Sequence, residues 1–322
     1  MSAASLHGSV RGTFLGPEGT FTEVAAQRVR TYGPAHLTAG ADARAIAQGV
    51  EEGTFDFGVV PIENSVHGTV LPTLDELVFE RASLLIREEV VVDVAFTLYA
   101  HPANAKPDAA TVVMSHPHAL AQCRDVIALK GLAAVEVAST AEACRVVANE
   151  RPDALCIAGP TAGEKYGLVA VHDGVQDRDG GRTRFYVLAR SLAPHLAGAE
   201  QYRTALVLTP ARDRAGILLE LLRPFAERGL NLSSLMSRPL RSGLGLYCFI
   251  VVVDAHIDAP RFGPALSELL DNGVRIKNLG SYLAWPTTAP DVGAHAEIPA
   301  GSVAATDTPE AHSRVLAPPQ DQ

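Results

Sequence analysis

No block of lysine and arginine occurs in this chain and its formal net charge is −9, so the electrostatic footprint of a nucleic-acid or membrane-surface binder is missing. No apolar run reaches the roughly 18 to 20 residues that span a bilayer, and the N-terminal MSAASLHGSVRG lacks the apolar centre of a secretory signal. A cytoplasmic protein with no nucleic-acid or membrane partner is the expectation. Cysteine is scarce: Cys123, Cys144, Cys156 and Cys248 lie far apart and form no CxxC pair. That pattern indicates neither a zinc site nor a disulfide framework and fits a reducing compartment; Cys144, Cys156 and Cys248 read as core residues. Residues 286–322 hold six Pro, eight Ala and no aromatic. They offer too little apolar surface to offset ordering entropy, which predicts a disordered tail.

What is present suits two cores. The chain has 322 residues, 47% hydrophobic and 20% charged, and a domain usually takes about 100–200 residues. Residues 12–190 alternate short β-type runs (Val59-Val60, 111–114, 135–137, 155–157) with helical patterns, which predicts an α/β domain with a largely parallel sheet. Thr20 with Glu23 and Ser139 with Glu142 fit the S/T-x-x-E capping box, and Asp42 can cap a further helix that stops at Gly53. Residues 191–203 lose the alternation and read as a linker. From Thr204 to about 285 the order is strand, helix, strand, strand, helix, strand, the ferredoxin-like arrangement.

Three segments place small hydroxyl residues where a strand turns into a helix: 16–20 with Thr20, Ser115-His116-Pro117, and Ser139-Thr140. Free amides and the helix dipole favour an anion there, and in doubly wound sheets such turns gather at the carboxyl ends of strands. The pattern suggests a site for a small, multiply negative molecule. A loop with three arginines leads into the strand that starts Thr183-Arg184-Phe185. By composition alone a solvated, charge-balanced loop is the favoured reading, but Arg184 at the lip of the strand could clamp a carboxylate in bidentate fashion. Glu63-Asn64-Ser65 follows another strand, either as a turn with local hydrogen bonds or as an acceptor, an amide and a hydroxyl offered to a ligand.

Taken together, these motifs resemble the prephenate dehydratase family over residues 12 to about 286. The matches are 16–21 (GPEGTF), 61–65 (PIENS), Ser115-His116-Pro117, Gln122-Cys123, Ser139-Thr140-Ala141 and Thr183-Arg184-Phe185. The resemblance implies two lobes, about 12–91 with 178–190 and 92–177, around a cleft like that of periplasmic binding proteins, with the chain crossing near Val92 and returning near Asp177. It implies that Thr183 is the essential catalytic group and that the Glu63-Asn64 and Gln122-Cys123 pairs line the substrate pocket. Residues 204–285 resemble an ACT regulatory domain, with Ala215, Gly216, Ile217 and Leu218 in the first effector loop and Met236, Ser237, Arg238 and Pro239 in the second. Three positions depart from the family pattern: Gly181 stands for Asn, His118 for Gln, and Met236 for Glu. Loss of that last carboxylate would weaken phenylalanine feedback or change its selectivity.

The resemblance further implies conversion of prephenate to phenylpyruvate, with phenylalanine or another amino acid as effector, no metal or organic cofactor, and a homodimer or homotetramer. In this reading Thr183 donates to the departing oxygen, and Arg184 with the helix-start turns holds a carboxylate. Phe185 either keeps the ring carboxylate poorly solvated or belongs to the core, the latter preferred. Arogenate dehydratase would use the same residues; a non-catalytic amino-acid-binding regulator is the other alternative, and the intact Thr183-Arg184-Phe185 argues against it.

Overall fold

In the computed structural model the described residues are 9–104, 106–192, 201–241 and 245–286. Of the linker predicted at 191–203, residues 193–200 lie outside them, while Tyr202 and Arg203 already belong to a strand; the tail predicted at 286–322 lies outside them beyond Pro286. The first lobe runs β1 (Val10–Leu15), α1 (Phe21–Gln27), β2 (Ala35–Gly40), α2 (Ala43–Glu51), β3 (Phe57–Asn64), β4 (Gly68–Thr69), α3 (Leu71–Asp75, extended by a wide helical turn over Glu76–Glu80) and β5 (Leu85–Asp93). The second runs β6 (Thr97–Ala100), β7 (Val112–Ser115), α4 (Pro117–Ala121), α5 (Arg124–Leu129), β8 (Ala133–Glu136), α6 (Thr140–Asn149), β9 (Leu155–Ala158), α7 (Pro160–Lys165) and β10 (Val169–Asp173). β11 (Arg182–Ala189) returns to the first lobe. Then follow β12 (Tyr202–Thr209), α8 (Ile217–Ala226), β13 (Leu232–Pro239), β14 (Tyr247–Val253), α9 (Phe262–Asp271) and β15 (Arg275–Leu283).

The three helix starts predicted from sequence are capped as expected, one of them only in part. Thr20 Oγ accepts from Glu23 N at 3.4 Å while the Glu23 carboxylate accepts from Gly19 N, and Asp42 accepts from Ala45 N at 2.7 Å. Ser139 accepts from Glu142 N at 2.9 Å, but the Glu142 carboxylate leaves the helix start for Arg145. That box is half formed because a guanidinium three residues away competes for its acid.

Both lobe sheets are mixed rather than largely parallel. β1 runs parallel to β2 and β3, and β7 to β8 and β9. Where the chain crosses between lobes its direction reverses, so β11 pairs antiparallel with β3 and β5, and β6 with β9 and β10. The crossing segments lie side by side: Val94 N donates to Gly181 O at 2.7 Å and Val175 N to Phe96 O at 2.9 Å.

The third unit has the predicted β-α-β-β-α-β order, and its sheet is continuous with that of the first lobe. β15 meets β5 in parallel through Leu283 and Glu88, giving the order β13-β14-β12-β15-β5-β11-β3-β1-β2. Gly280 permits the approach. Its φ is +132°, and a Cβ there would lie 2.3 Å from the Ile86 carbonyl oxygen, a clash with backbone that no rotamer relieves. One apolar cluster therefore joins α2 and α3 (Ile46, Leu74) to the third unit's sheet (Val207, Ile250, Tyr282). Full burial of a side chain such as Ile46 or Ile250 is worth about 1.5–3 kcal/mol. α8 and α9 cover the opposite face through Phe225 and Phe262. All four cysteines are free and buried, Cys123 with the three read as core.

Candidate functional site

The strand-to-helix turns singled out in the sequence converge from the two lobes. β7 and β8 are parallel neighbours, so Val137 N reaches Ser115 O at 3.0 Å and the turns that follow them lie side by side. Gly19, with φ +87°, packs the first-lobe loop on the second lobe: a Cβ there would sit 3.2 Å from Ala162 Cα and 3.5 Å from Ala141 Cβ. The Glu18–Lys165 ion pair and the edge-on Phe21–Phe96 contact, centroids 5.8 Å apart, also tie loop 16–21 to residues beyond the first crossing.

Thr183 stands on β11 directly opposite Asn64 of β3 and Val92 of β5 and is 9% exposed. Its hydroxyl oxygen accepts from Asn64 Nδ2 at 2.9 Å. The amide orientation is fixed by the turn that follows, because Asn64 Oδ1 accepts from Val66 N at 2.9 Å and His67 N at 3.1 Å. With an oxygen lone pair of Thr183 taken by an amide N–H, its own proton is free to be donated. Ser65 locks the same corner: its N–H donates to Arg182 O and its hydroxyl accepts from Arg182 N, both at 2.9 Å.

From this turn His67 reaches the second lobe. Its Nε2 lies 3.1 Å from Gln122 Nε2, and its ring stacks on His118 with centroids 4.2 Å apart and planes at 23°. His116, the N-cap of α4, lies edge-on to His118 at 4.9 Å and accepts from His118 N through Nδ1 at 3.2 Å. Burial, then its histidine neighbours, holds the His116 imidazole below its ordinary range; burial, then His67, does the same to His118. Sequence reasoning did not single out His67, since a lone histidine two residues past PIENS carries no pattern of its own.

Other predicted residues are placed differently. Arg184 points to the opposite face of the sheet from Thr183, where it pairs with Glu63 at 2.8 Å and approaches buried Glu89 at 3.6 Å. A bulge between β3 and β11 puts Ile62 and Glu63 both on that face. There, with Arg184, Ser234, Met236 and Ile250, they line a cavity of about 50 Å³ against β13 and β14. The carboxylate clamp expected of Arg184, and the pocket role of Glu63, are thus not supported on the Thr183 side. Ser115 is fully buried and donates to Ile157 O at 2.6 Å, a tie between neighbouring strands. Cys123 is fully buried, and burial pushes its thiol up to about 12, so it stays protonated. Phe185 is 1% exposed among Phe14, Phe57 and Val90, which makes it core. Thr20 and Ser139 spend their hydroxyls on helix caps, and Thr140 is half-buried in the first turn of α6.

The two expected effector loops do not meet within one chain. Gly216 caps α8 with φ +84°, and Ile217 lines a cavity of about 250 Å³ with Arg212, Arg214, Glu220 and Asn272; Ala215 and Leu218 are exposed beside it. Met236 faces the other cavity, Arg238 grips Asp75 of α3 through contacts of 2.7, 2.8 and 3.1 Å, and Ser237 and Pro239 are exposed on β13. Among the described residues no cluster of His, Cys, Asp and Glu fits a metal ion, and no helix is long and apolar enough to cross a membrane.

Comparison with known proteins gives two family matches: prephenate dehydratase over residues 13–192 and the ACT domain over residues 207–271. A curated prephenate dehydratase from Mycolicibacterium vanbaalenii is 37% identical over 290 residues, covering 85% of this chain and 90% of that protein. A solved prephenate dehydratase in complex with L-Phe from Arthrobacter aurescens is 32% identical with a TM-score of 0.76, covering 85% of this chain and 89% of that one. A structure described as a novel type of quorum quenching acylase, GqqA, is 28% identical with a TM-score of 0.75, over 85% and 98%. The extent of these matches, on a chain whose lobes meet around the turns at 16–21, 64–67 and 115–122, shows that it belongs to the prephenate dehydratase family.

Proposed function

We propose that the chain is a prephenate dehydratase whose catalytic group is Thr183 and whose activity is regulated by phenylalanine through residues 204–285. Prephenate carries two carboxylates and a ring hydroxyl. The dianion takes up one proton and yields phenylpyruvate, CO₂ and water: the C–CO₂ bond breaks, its electron pair moves through the ring, and the ring C–O bond opens as aromaticity is gained. The departing oxygen needs a hydrogen-bond donor and finally a proton.

The observation that carries this reading is the Asn64–Thr183 hydrogen bond of 2.9 Å. A threonine whose oxygen accepts from a fixed amide presents its hydroxyl hydrogen outward, and the hydroxyl is too weak an acid to protonate the leaving group in bulk. Aimed at the leaving oxygen, such a preorganised donor is worth roughly 10²–10³ in turnover.

For regulation, the cavity at Ile217 and the grip of Arg238 and Lys277 on the first lobe support a sensor tied to the catalytic sheet. Lys277 Nζ donates to Leu77 O, Val78 O and Arg81 O at 2.6–3.0 Å, closing the wide turn after α3. β13 ends the sheet with Leu235 exposed, and Tyr247 on β14 beside it is also exposed. An open edge of this kind supports a homodimer or homotetramer, and free buried thiols suit the cytoplasm.

The test is chromatographic detection of phenylpyruvate from prephenate by the full chain, with and without phenylalanine. Phenylpyruvate formation that phenylalanine suppresses is expected; no product would end the reading. Arogenate in a parallel reaction decides the substrate, and an amide substrate left intact separates it from the acylase activity named for one relative.

A further inference from the structure

Arg184 faces the third unit, and Arg182 and Lys165 are ion-paired with Asp93 and Glu18. At the corner that holds Thr183 the lobes are bridged by His67, which meets Gln122 and His118 of the second lobe. His67 hangs from Asn64 Oδ1 through its N–H at 3.1 Å, and Asn64 holds Thr183 at 2.9 Å, so two hydrogen bonds separate the His67 backbone from the catalytic hydroxyl. His118 comes from the other lobe to stack on it at 4.2 Å, and both residues remain exposed to solvent.

We propose that His67 and His118 are a substrate-carboxylate-binding pair, one from each lobe, that takes up a proton when the dianion enters the cleft. The proposal rests on prephenate being the substrate. His67 Nε2 lies 3.1 Å from the Gln122 side-chain amide of the other lobe, which holds its ring at the cleft. A second positive charge on a ring 4.2 Å away is unfavourable. His116 adds to that repulsion, while Glu136 opposes it by favouring the charged form of His116. Burial, then the neighbouring His67, therefore disfavours the protonated form of His118. Two carboxylates arriving together reverse the balance and draw a proton onto the stacked rings. By linkage, binding then tightens as pH falls toward the imidazole range and weakens as pH rises through it. Each lobe supplies one ring, so the same event favours the closed arrangement of the cleft.

The experiment is isothermal titration calorimetry of prephenate into the Thr183→Ala protein, in two buffers of different ionisation enthalpy at pH 7, with His67→Asn and His118→Gln added singly. Steady-state KM from pH 6 to 8.5 is measured in the Thr183 protein with the same changes, and circular dichroism checks each fold. Net proton uptake is expected, at least halved by either histidine change. KM should rise about fivefold at the low-pH end, with kcat falling less and the pH dependence flattened. Unchanged uptake and an unchanged KM profile in both folded variants would overturn the pair while leaving the dehydratase reading intact. Absence of phenylpyruvate formation by the unaltered chain would overturn both.

Discussion

Along β3 and β11 neighbouring residues fall on opposite faces. Asn64 meets Thr183 at 2.9 Å on one side, and Glu63 meets Arg184 at 2.8 Å on the other. The first pair lies at the corner from which His67 reaches the second lobe, whereas the second lies against β13 and β14 beside Met236. Behind Arg184 the charges continue: Glu89, 1% exposed, also takes Arg203 at 2.7 Å, and Arg203 reaches Asp254 at 3.0 Å. A sheet thus lets one short motif serve two compartments, one side at the corner proposed for the chemistry and the other in contact with the ACT unit.

The variants that test this contrast differ in size of effect. Thr183→Ala should lower kcat about 10²–10³-fold with the circular dichroism spectrum unchanged. Gly280→Ala, which forces Cβ onto the Ile86 carbonyl, should cost about 2–3 kcal/mol in urea unfolding and loosen the join between the sheets. Arg184→Gln should cost about 1–2 kcal/mol, because buried Glu89 loses part of its counter-charge, and should leave the KM for prephenate nearly unaltered. A large KM increase there would return Arg184 to the cleft and break the contrast. The smallest change belongs to Lys277→Met: about 1 kcal/mol, from the loss of three carbonyl contacts. With it should come a weaker response to phenylalanine, read from inhibition curves.

Legibility in the sequence followed the range of the interactions. Thr20, Asp42 and Ser139 act over three residues and were readable as helix caps, and the ferredoxin-like order of 204–285 followed from alternating periodicities. Strand alternation alone puts Glu63 and Arg184 on the other face from Asn64 and Thr183, but which face meets the cleft depends on the second lobe and on β13 and β14, far away in the chain. The bulge that adds Ile62 to the face of Glu63 is a pairing defect between strands about 120 residues apart, with no local signature. Ser115 and Cys123 were legible as family positions, yet their burial depends on β9 and on the core beneath α4 and α5. The continuity of β15 with β5 hung on a single glycine, and His67 became visible only once the second lobe brought His118 against it.

The proposed chemistry turns on one hydrogen atom, that of the Thr183 hydroxyl, and the group that carries it can be exchanged. Thr183→Ser keeps the hydroxyl beside Asn64, while Thr183→Val keeps the shape and removes it. The Ser protein should retain prephenate turnover within about tenfold and the Val protein should lose at least about a hundredfold. Equal turnover in the two proteins would remove that hydrogen atom from the reaction.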